Sequence, residues 1–223
     1  MQRPFLRKNV CLTFFLLLLP GVLFAKFDFN ANCQKAYGLI FELKLNAAKQ
    51  IIATEKKVNP RNSFVPLLEN YIDFFQLLTM ASKTDFDRLK GNKSIRLNQI
   101  EDDTEQSPYS LYAQAEINLQ WALIRARFGE QFNAALEIKK ANSYLQDNAK
   151  KYPGFPLNAK GLGIVNAVLG SLPEGFMKRT LSTFGIKGDV KTGVAMMQKL
   201  ASSLPNSVYE PLYEELVLYY SFV

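Results

Sequence analysis

The stretch Ser107–Pro153, SPYSLYAQAEINLQWALIRARFGEQFNAALEIKKANSYLQDNAKKYP, decides how the rest of the chain is to be read. Ser107 followed by Pro108 is a helix start. The serine oxygen can accept an orphan backbone N–H, and proline's fixed φ suits the first helical position. Tyr112, Ala115, Leu119, Ala122 and Ala126 recur at helical spacing, and so do Ile117, Trp121, Ile124 and Phe128. A helix apolar along two stripes needs neighbours on two sides. Beyond Gly129 a second helix runs through Ala134, Ile138, Ala141, Leu145, Ala149 and Tyr152 until Pro153 ends it. The stretch is a helical hairpin inside a stack. Arg125, one turn after Trp121, is placed for a cation–π contact worth roughly 0.5–2 kcal/mol.

Upstream, Ala31 to Val58 reads as an earlier hairpin, with Ala36 and Leu39 on its first helix and Ala48 and Ile52 on its second. Ser63 is placed to cap the next helix, whose inner stripe is Leu67, Tyr71, Phe75 (or Phe74) and Leu78, with Glu69, Asp73 and Gln76 facing away. Thr84 to Ile100 is a third helical segment with a weak point at Gly91-Asn92. Its Arg88, Lys90, Lys93 and Arg96 alternate with Asp85 and Asp87, the pattern of a solvated face. Glu101–Gln106 is a polar loop. Downstream, Gly154-Phe155-Pro156 is a turn, and a helix begins at Leu157 and runs to Leu169. In it Gly163, Ala167 and Gly170 invite the close approach of a neighbour. A turn at Gly185–Gly188, a cap at Asp189, a helix through Val194, Met197 and Leu200, and a final helix from Ser207 to Val223 complete the pattern.

Phe128-Gly129-x-x-Phe132 with Ala141, Leu145 and Pro153 resembles the tetratricopeptide repeat. That repeat places a Leu-Gly-x-x-Tyr-like cluster on its first helix, a small residue early on its second, and proline after it. Ala36, Leu39, Ala48, Ile52 and Pro60 stand at matching places, and Asn59-Pro60-x-Asn62 resembles the turn after such a repeat. The closing prolines Pro60, Pro153 and Pro205 do not follow one period of about 34 residues, so the array is divergent, with insertions. The phrases SPYSLYAQAEINLQWALIRARFGE and GSLPEGFMKRTLSTFGIKGDVKTG also resemble exported helical-repeat proteins of Bacteroidetes-type bacteria. These resemblances imply an all-α fold of antiparallel helix–turn–helix pairs stacked as a tetratricopeptide-like solenoid. They imply an exported protein and bring no catalytic residues.

The N-terminus is read separately. Arg3, Arg7 and Lys8 precede the apolar run Val10–Leu19, then Pro20-Gly21 and Leu23-Phe24-Ala25, the order of a secretory signal. The run falls short of the ~20 residues that span a bilayer. Residues 1–25 are therefore expected to be a signal peptide and residues 26–223 the repeat domain. Cys33 would be the one cysteine left, which allows no internal disulfide, and its place beside Ala36 and Tyr37 suits a small packed residue. The end Leu218-Tyr219-Tyr220-Ser221-Phe222-Val223 is apolar where a solenoid needs a polar cap. Either the chain is a portion of a longer repeat protein or this edge is covered in a homo-oligomer.

Composition narrows the function. The 223 residues contain no histidine, which removes Ser-His-Asp and Cys-His chemistry and the commonest zinc sites. Gly161-Leu162-Gly163 is followed by Asn166 where a dinucleotide fingerprint needs its third glycine. The glycines around Lys191-Thr192 lack the phosphate-loop order. Asp102-Asp103 and Glu214-Glu215 are adjacent pairs that point apart on a helix, as surface charge does. The formal charge of +7 includes three basic residues of the leader, and no basic stripe is paired with stacking aromatics as nucleic-acid binding requires. The expectation is a scaffold without enzymatic activity, cofactor or metal, binding a protein or peptide partner in the periplasm or at the outer membrane. Peripheral membrane association and a homo-oligomer stay open, and a glycan- or lipid-binding module is the alternative. Glu116, Gln120, Arg127 and Gln131 share one polar face of the hairpin and are the expected partner-facing stripe.

Overall fold

A computed structural model describes residues 27–79, 82–101 and 107–221. The signal peptide expected at 1–25 and most of the loop expected at 101–106 lie outside the described residues. Among those described, the regular structure is helical throughout, with no strand.

The first hairpin is α1 (Ala31–Phe41) and α2 (Leu45–Val58), turning at Leu43, whose φ of 58° is left-handed. Then come α3 (Phe64–Thr79), α4 (Lys83–Leu89) and α5 (Asn92–Glu101), the break falling at the expected Gly91. The central hairpin is α6 (Pro108–Arg127) and α7 (Gln131–Lys151). Ser107 caps α6 by accepting from the Tyr109 N–H, and Gly129, at φ 80°, makes the reversal. Next are α8 (Leu157–Ser171), α9 (Phe176–Thr183) and α10 (Val190–Ala201), the last capped by Asp189, which accepts from the Thr192 N–H. A 3₁₀ turn Glu210–Leu212 leads into α11 (Tyr213–Ser221).

Each of the pairs α1/α2, α6/α7 and α8/α10 packs along its length, and α1 touches α3, α3 touches α6, and α6 touches α8. The main core lies along that line, with Tyr37, Tyr71, Tyr112 and Trp121 among its buried side chains. A second core joins α6 and α7 to α8 and α9 through Ala135, Ile138, Leu145, Val165 and Leu181. Trp121 is 2% exposed, as its place on one of two apolar stripes of a helix packed on both sides requires.

Four local expectations are corrected. The last helix begins at Tyr213 instead of Ser207, because Asn206 adopts a left-handed φ of 62° and Pro211 falls in the 3₁₀ turn that follows. At the start of α3 it is Asn62, beside Ser63, whose side-chain oxygen accepts from the Phe64 N–H. The basic face of α4 and α5 is only half solvated: Arg88 and Lys90 are exposed, whereas Lys93 and Arg96 are buried against Glu137 and Asp73. Asp73 is therefore interior, not outward-facing. Cys33 is a buried free thiol, and burial, Glu55 and Asp28 push its pKa up to about 12.

The small residues of α8 act as expected on α10. A Cβ added to Gly193 would lie 2.4 Å from the Ala167 backbone N and 2.5 Å from the Gly163 carbonyl. Alanine would gain at most ~1 kcal/mol of helix propensity there. Overpacking against backbone that cannot turn aside costs about 1–3 kcal/mol. Gly193→Ala is thus expected to lower stability in urea titration by about 1–2 kcal/mol. A stabilised variant would show that α8 and α10 are further apart.

Candidate functional site

The expected polar stripe of α6 and α7 is divided by the fold. Arg127 and Gln131 are exposed, but Glu116 and Gln120 are 1% and 2% exposed and point into the protein. The solvent-facing assignment of Glu116 and Gln120 is corrected accordingly. The sequence register was sound along the apolar stripes. What it missed is that α6 is covered on its polar side too, by α3 and α8.

Gln120 accepts from the Asn70 amide at 2.6 Å, while Asn70 Oδ1 accepts from Trp121 Nε1 at 2.9 Å and from Arg96 at 3.2 Å. Arg96 also pairs with Asp73 at 2.6 Å. The indole N–H of Trp121 is satisfied, and three helices are tied by one amide. Arg125, expected over Trp121, has its guanidinium held by Glu130 and Glu137.

Glu116 belongs to a buried charged hub centred on Lys160, which no solvent reaches. Lys160 Nζ donates to Glu116 Oε2 at 2.8 Å, Glu215 Oε2 at 2.7 Å and Tyr112 OH at 2.9 Å, and lies 3.1 Å from Tyr71 OH. Tyr37 O–H donates to Glu215 Oε2. Tyr71 OH lies 2.9 Å from Glu116 Oε2 and 2.8 Å from Glu215 Oε1, although a phenol has one proton to donate. With both carboxyls ionised, one of these oxygens would face the phenol's lone pairs, and the hub would bury a net negative charge. A proton on Glu215 Oε1 removes both problems. It donates to Tyr71, Tyr71 donates to Glu116, and the three ammonium protons go to Glu116, Glu215 and Tyr112.

The electrostatics agree. Burial pushes the Glu215 carboxyl up, against the pull of Lys160 and with the push of Glu116. Burial works to lower the Lys160 pKa, but Glu116, joined by Glu215 once that carboxyl has ionised at alkaline pH, outweighs it and holds the ammonium well above its ordinary range. Burial also holds the phenols of Tyr37, Tyr71 and Tyr112 well above theirs. The hub joins α1, α3, α6, α8 and α11 through one or two side chains each. Buried throughout, it ties α11 to the inner helices.

One cue to this hub was present in the sequence. Lys160 is the single charged residue of α8, LNAKGLGIVNAVLGS, and a lone charge in an apolar helix needs a buried partner. Nothing local marks Glu215 as that partner, 55 residues along the chain and beside an exposed Glu214.

The open candidate site lies on the other side of α8. Leu119 and Leu123 of α6, Ile138 of α7, Val165 and Val168 of α8, and Met177 of α9 are among the side chains lining a cleft of about 90 Å³ that presents almost no polar surface. Leu123 is 38% exposed, and Phe176, the first residue of α9 and the one before the lining Met177, is 50% exposed. Arg127 follows Leu123 by one helical turn, which places one residue of the expected stripe close to this cleft. The helix α9 was not foreseen, because Pro173-Glu174-Gly175 reads as a loop and the helix is only 8 residues long.

Among the described residues no group of three or more Cys, Asp and Glu is placed to hold a metal ion, and no helix is long and apolar enough to cross a membrane. Comparison with protein-family models, with characterised proteins and with solved structures finds no match for this chain.

Proposed function

We propose that the protein is an exported helical-repeat scaffold that binds a peptide segment of another protein in the cell envelope, taking an apolar side chain of that segment into the cleft between α6, α8 and α9. The observation that carries this reading is the contrast between the two sites: the chemically rich hub is sealed, whereas the open cleft offers apolar contact and almost nothing else. A site with that lining binds by burial and has no group with which to transform what it binds. The succession of helix pairs supports a tetratricopeptide-like stack, and such stacks present clefts between neighbouring pairs. The leader-like residues before Lys26 support export.

Panning a displayed library of random short peptides against the purified full chain is the test. Binders should be enriched and should lose at least tenfold in affinity on Phe176→Asp, with helicity and melting temperature unchanged. Phe176 is half exposed and directly precedes the lining residue Met177, so its replacement alters this end of α9 without emptying the core. No enrichment, or enrichment indifferent to Phe176→Asp, would overturn the proposal.

A further inference from the structure

Beyond the ridge formed by Leu169 and Leu172, which line the apolar cleft, those same two residues line a second hollow of about 270 Å³. Its remaining walls include Lys178 and Ser182 of α9 and Lys187 in the loop before α10, with no carboxylate among the lining residues. The floor is rigid. A Cβ on Gly188 would lie 2.4 Å from the Asn166 carbonyl, and one on Gly170 would lie 2.5 Å from the Val190 N, so loop and helix touch backbone to backbone. Lys187 therefore projects from a fixed point, next to Gly188. Lys178 is paired at 2.7 Å with Glu174, whose side chain is 80% exposed and so is easily displaced by another carboxylate. Asp189 is occupied in capping α10.

From this juxtaposition we infer that the partner segment is acidic: one leucine-, isoleucine- or methionine-sized side chain enters the cleft, and a neighbouring Asp or Glu crosses the ridge to Lys187 and Lys178. The inference rests on the peptide-binding proposal above and adds the chemistry of the peptide. Size favours an aliphatic side chain. An apolar cavity of roughly 150 Å³ takes up a benzene ring, and this cleft is smaller. A long acyl chain is excluded from full burial on the same ground. Charge supplies direction, since two lysines without a lining carboxylate attract an anion and repel a basic segment.

The probes are synthetic peptides with a central leucine and a single glutamate two, three or four residues away, each with a glutamate-to-lysine counterpart, titrated by fluorescence anisotropy against the full chain. At least one glutamate peptide should bind about tenfold more tightly than its lysine counterpart. The order should reverse on Lys187→Glu, because the swapped charges then attract. Exposed Lys57 provides the control, and Lys57→Glu should leave the ratio unchanged. Glutamate and lysine peptides of equal affinity would overturn the acidic preference. So would binding of sodium laurate at concentrations where no glutamate peptide binds, since the occupant would then be a lipid. If panning enriches Phe176-dependent peptides with no acidic bias, this inference falls and the scaffold proposal stands. If panning enriches none, the scaffold proposal is what fails.

Discussion

Lys160→Met should lower the unfolding free energy by about 3–5 kcal/mol, the range for removing one partner of a buried ion pair. Glu116 would be left charged in an interior where its Oε2 now has Lys160 at 2.8 Å and its Oε1 has no hydrogen-bond partner. The variants of the two acids should differ. Glu116→Gln removes the counter-charge of a fully buried ammonium and should cost about as much as Lys160→Met. Glu215→Gln replaces a protonated carboxyl by an amide that can also donate to Tyr71, so it should cost about 1 kcal/mol or less. Combining Lys160→Met with Glu116→Gln should recover most of the loss, because no charge then remains buried without a partner. Reversible denaturant unfolding with helicity as the probe measures all four. Equal costs for Glu116→Gln and Glu215→Gln would refute the placement of the proton on Glu215.

Alkaline solution should unfold the protein steeply. Tyr37, Tyr71 and Tyr112 have folded pKa values raised well above the ordinary 10.0, and Lys160 well above 10.5. For a raised pKa the stabilisation is complete below the unfolded value and is lost as pH rises through the folded one. Above about pH 10–10.5 the unfolded chain releases four protons that the folded hub retains. At about 1.4 kcal/mol per proton per pH unit, the slope approaches roughly 5 kcal/mol per unit. Domains have about 5–15 kcal/mol of stability in all. A sharp transition by about pH 12, seen in far-ultraviolet circular dichroism together with tyrosinate absorbance, is the expected result. Ionisation of all ten tyrosines near pH 10 with helicity intact would place these phenols in contact with water. Glu215 acts in the opposite part of the scale. Its raised pKa favours the folded state below its ordinary 4.5 and loses that contribution as pH rises.

The helices were legible because their signals are local. Ser107-Pro108, Gly129 and Asp189 punctuate them, and the apolar period of α6 and α7 shows which residues face a neighbour. Cys33 and Trp121 were correctly read as interior for the same reason. Period alone, however, assigns every polar residue off the apolar stripe to water. It therefore sent Glu116 and Gln120 outward, whereas the second-side packing of α6 brings them against Tyr71, Lys160 and Asn70. A buried polar residue is distinguished from an exposed one by its partner, and here the partners are distant in sequence. Asn70 is 50 residues from Gln120, and Lys160 is 44 from Glu116. The cleft escaped notice for a related reason: its lining is ordinary core leucine, valine and isoleucine, and only the way α8 and α9 meet α6 leaves it open. The sequence by itself determined where the chain is helical and which faces are apolar, because those follow from neighbours three and four residues apart. Only the tertiary structure decided which charges are buried together and which apolar surface stays uncovered, because both depend on helices meeting across long separations in the chain.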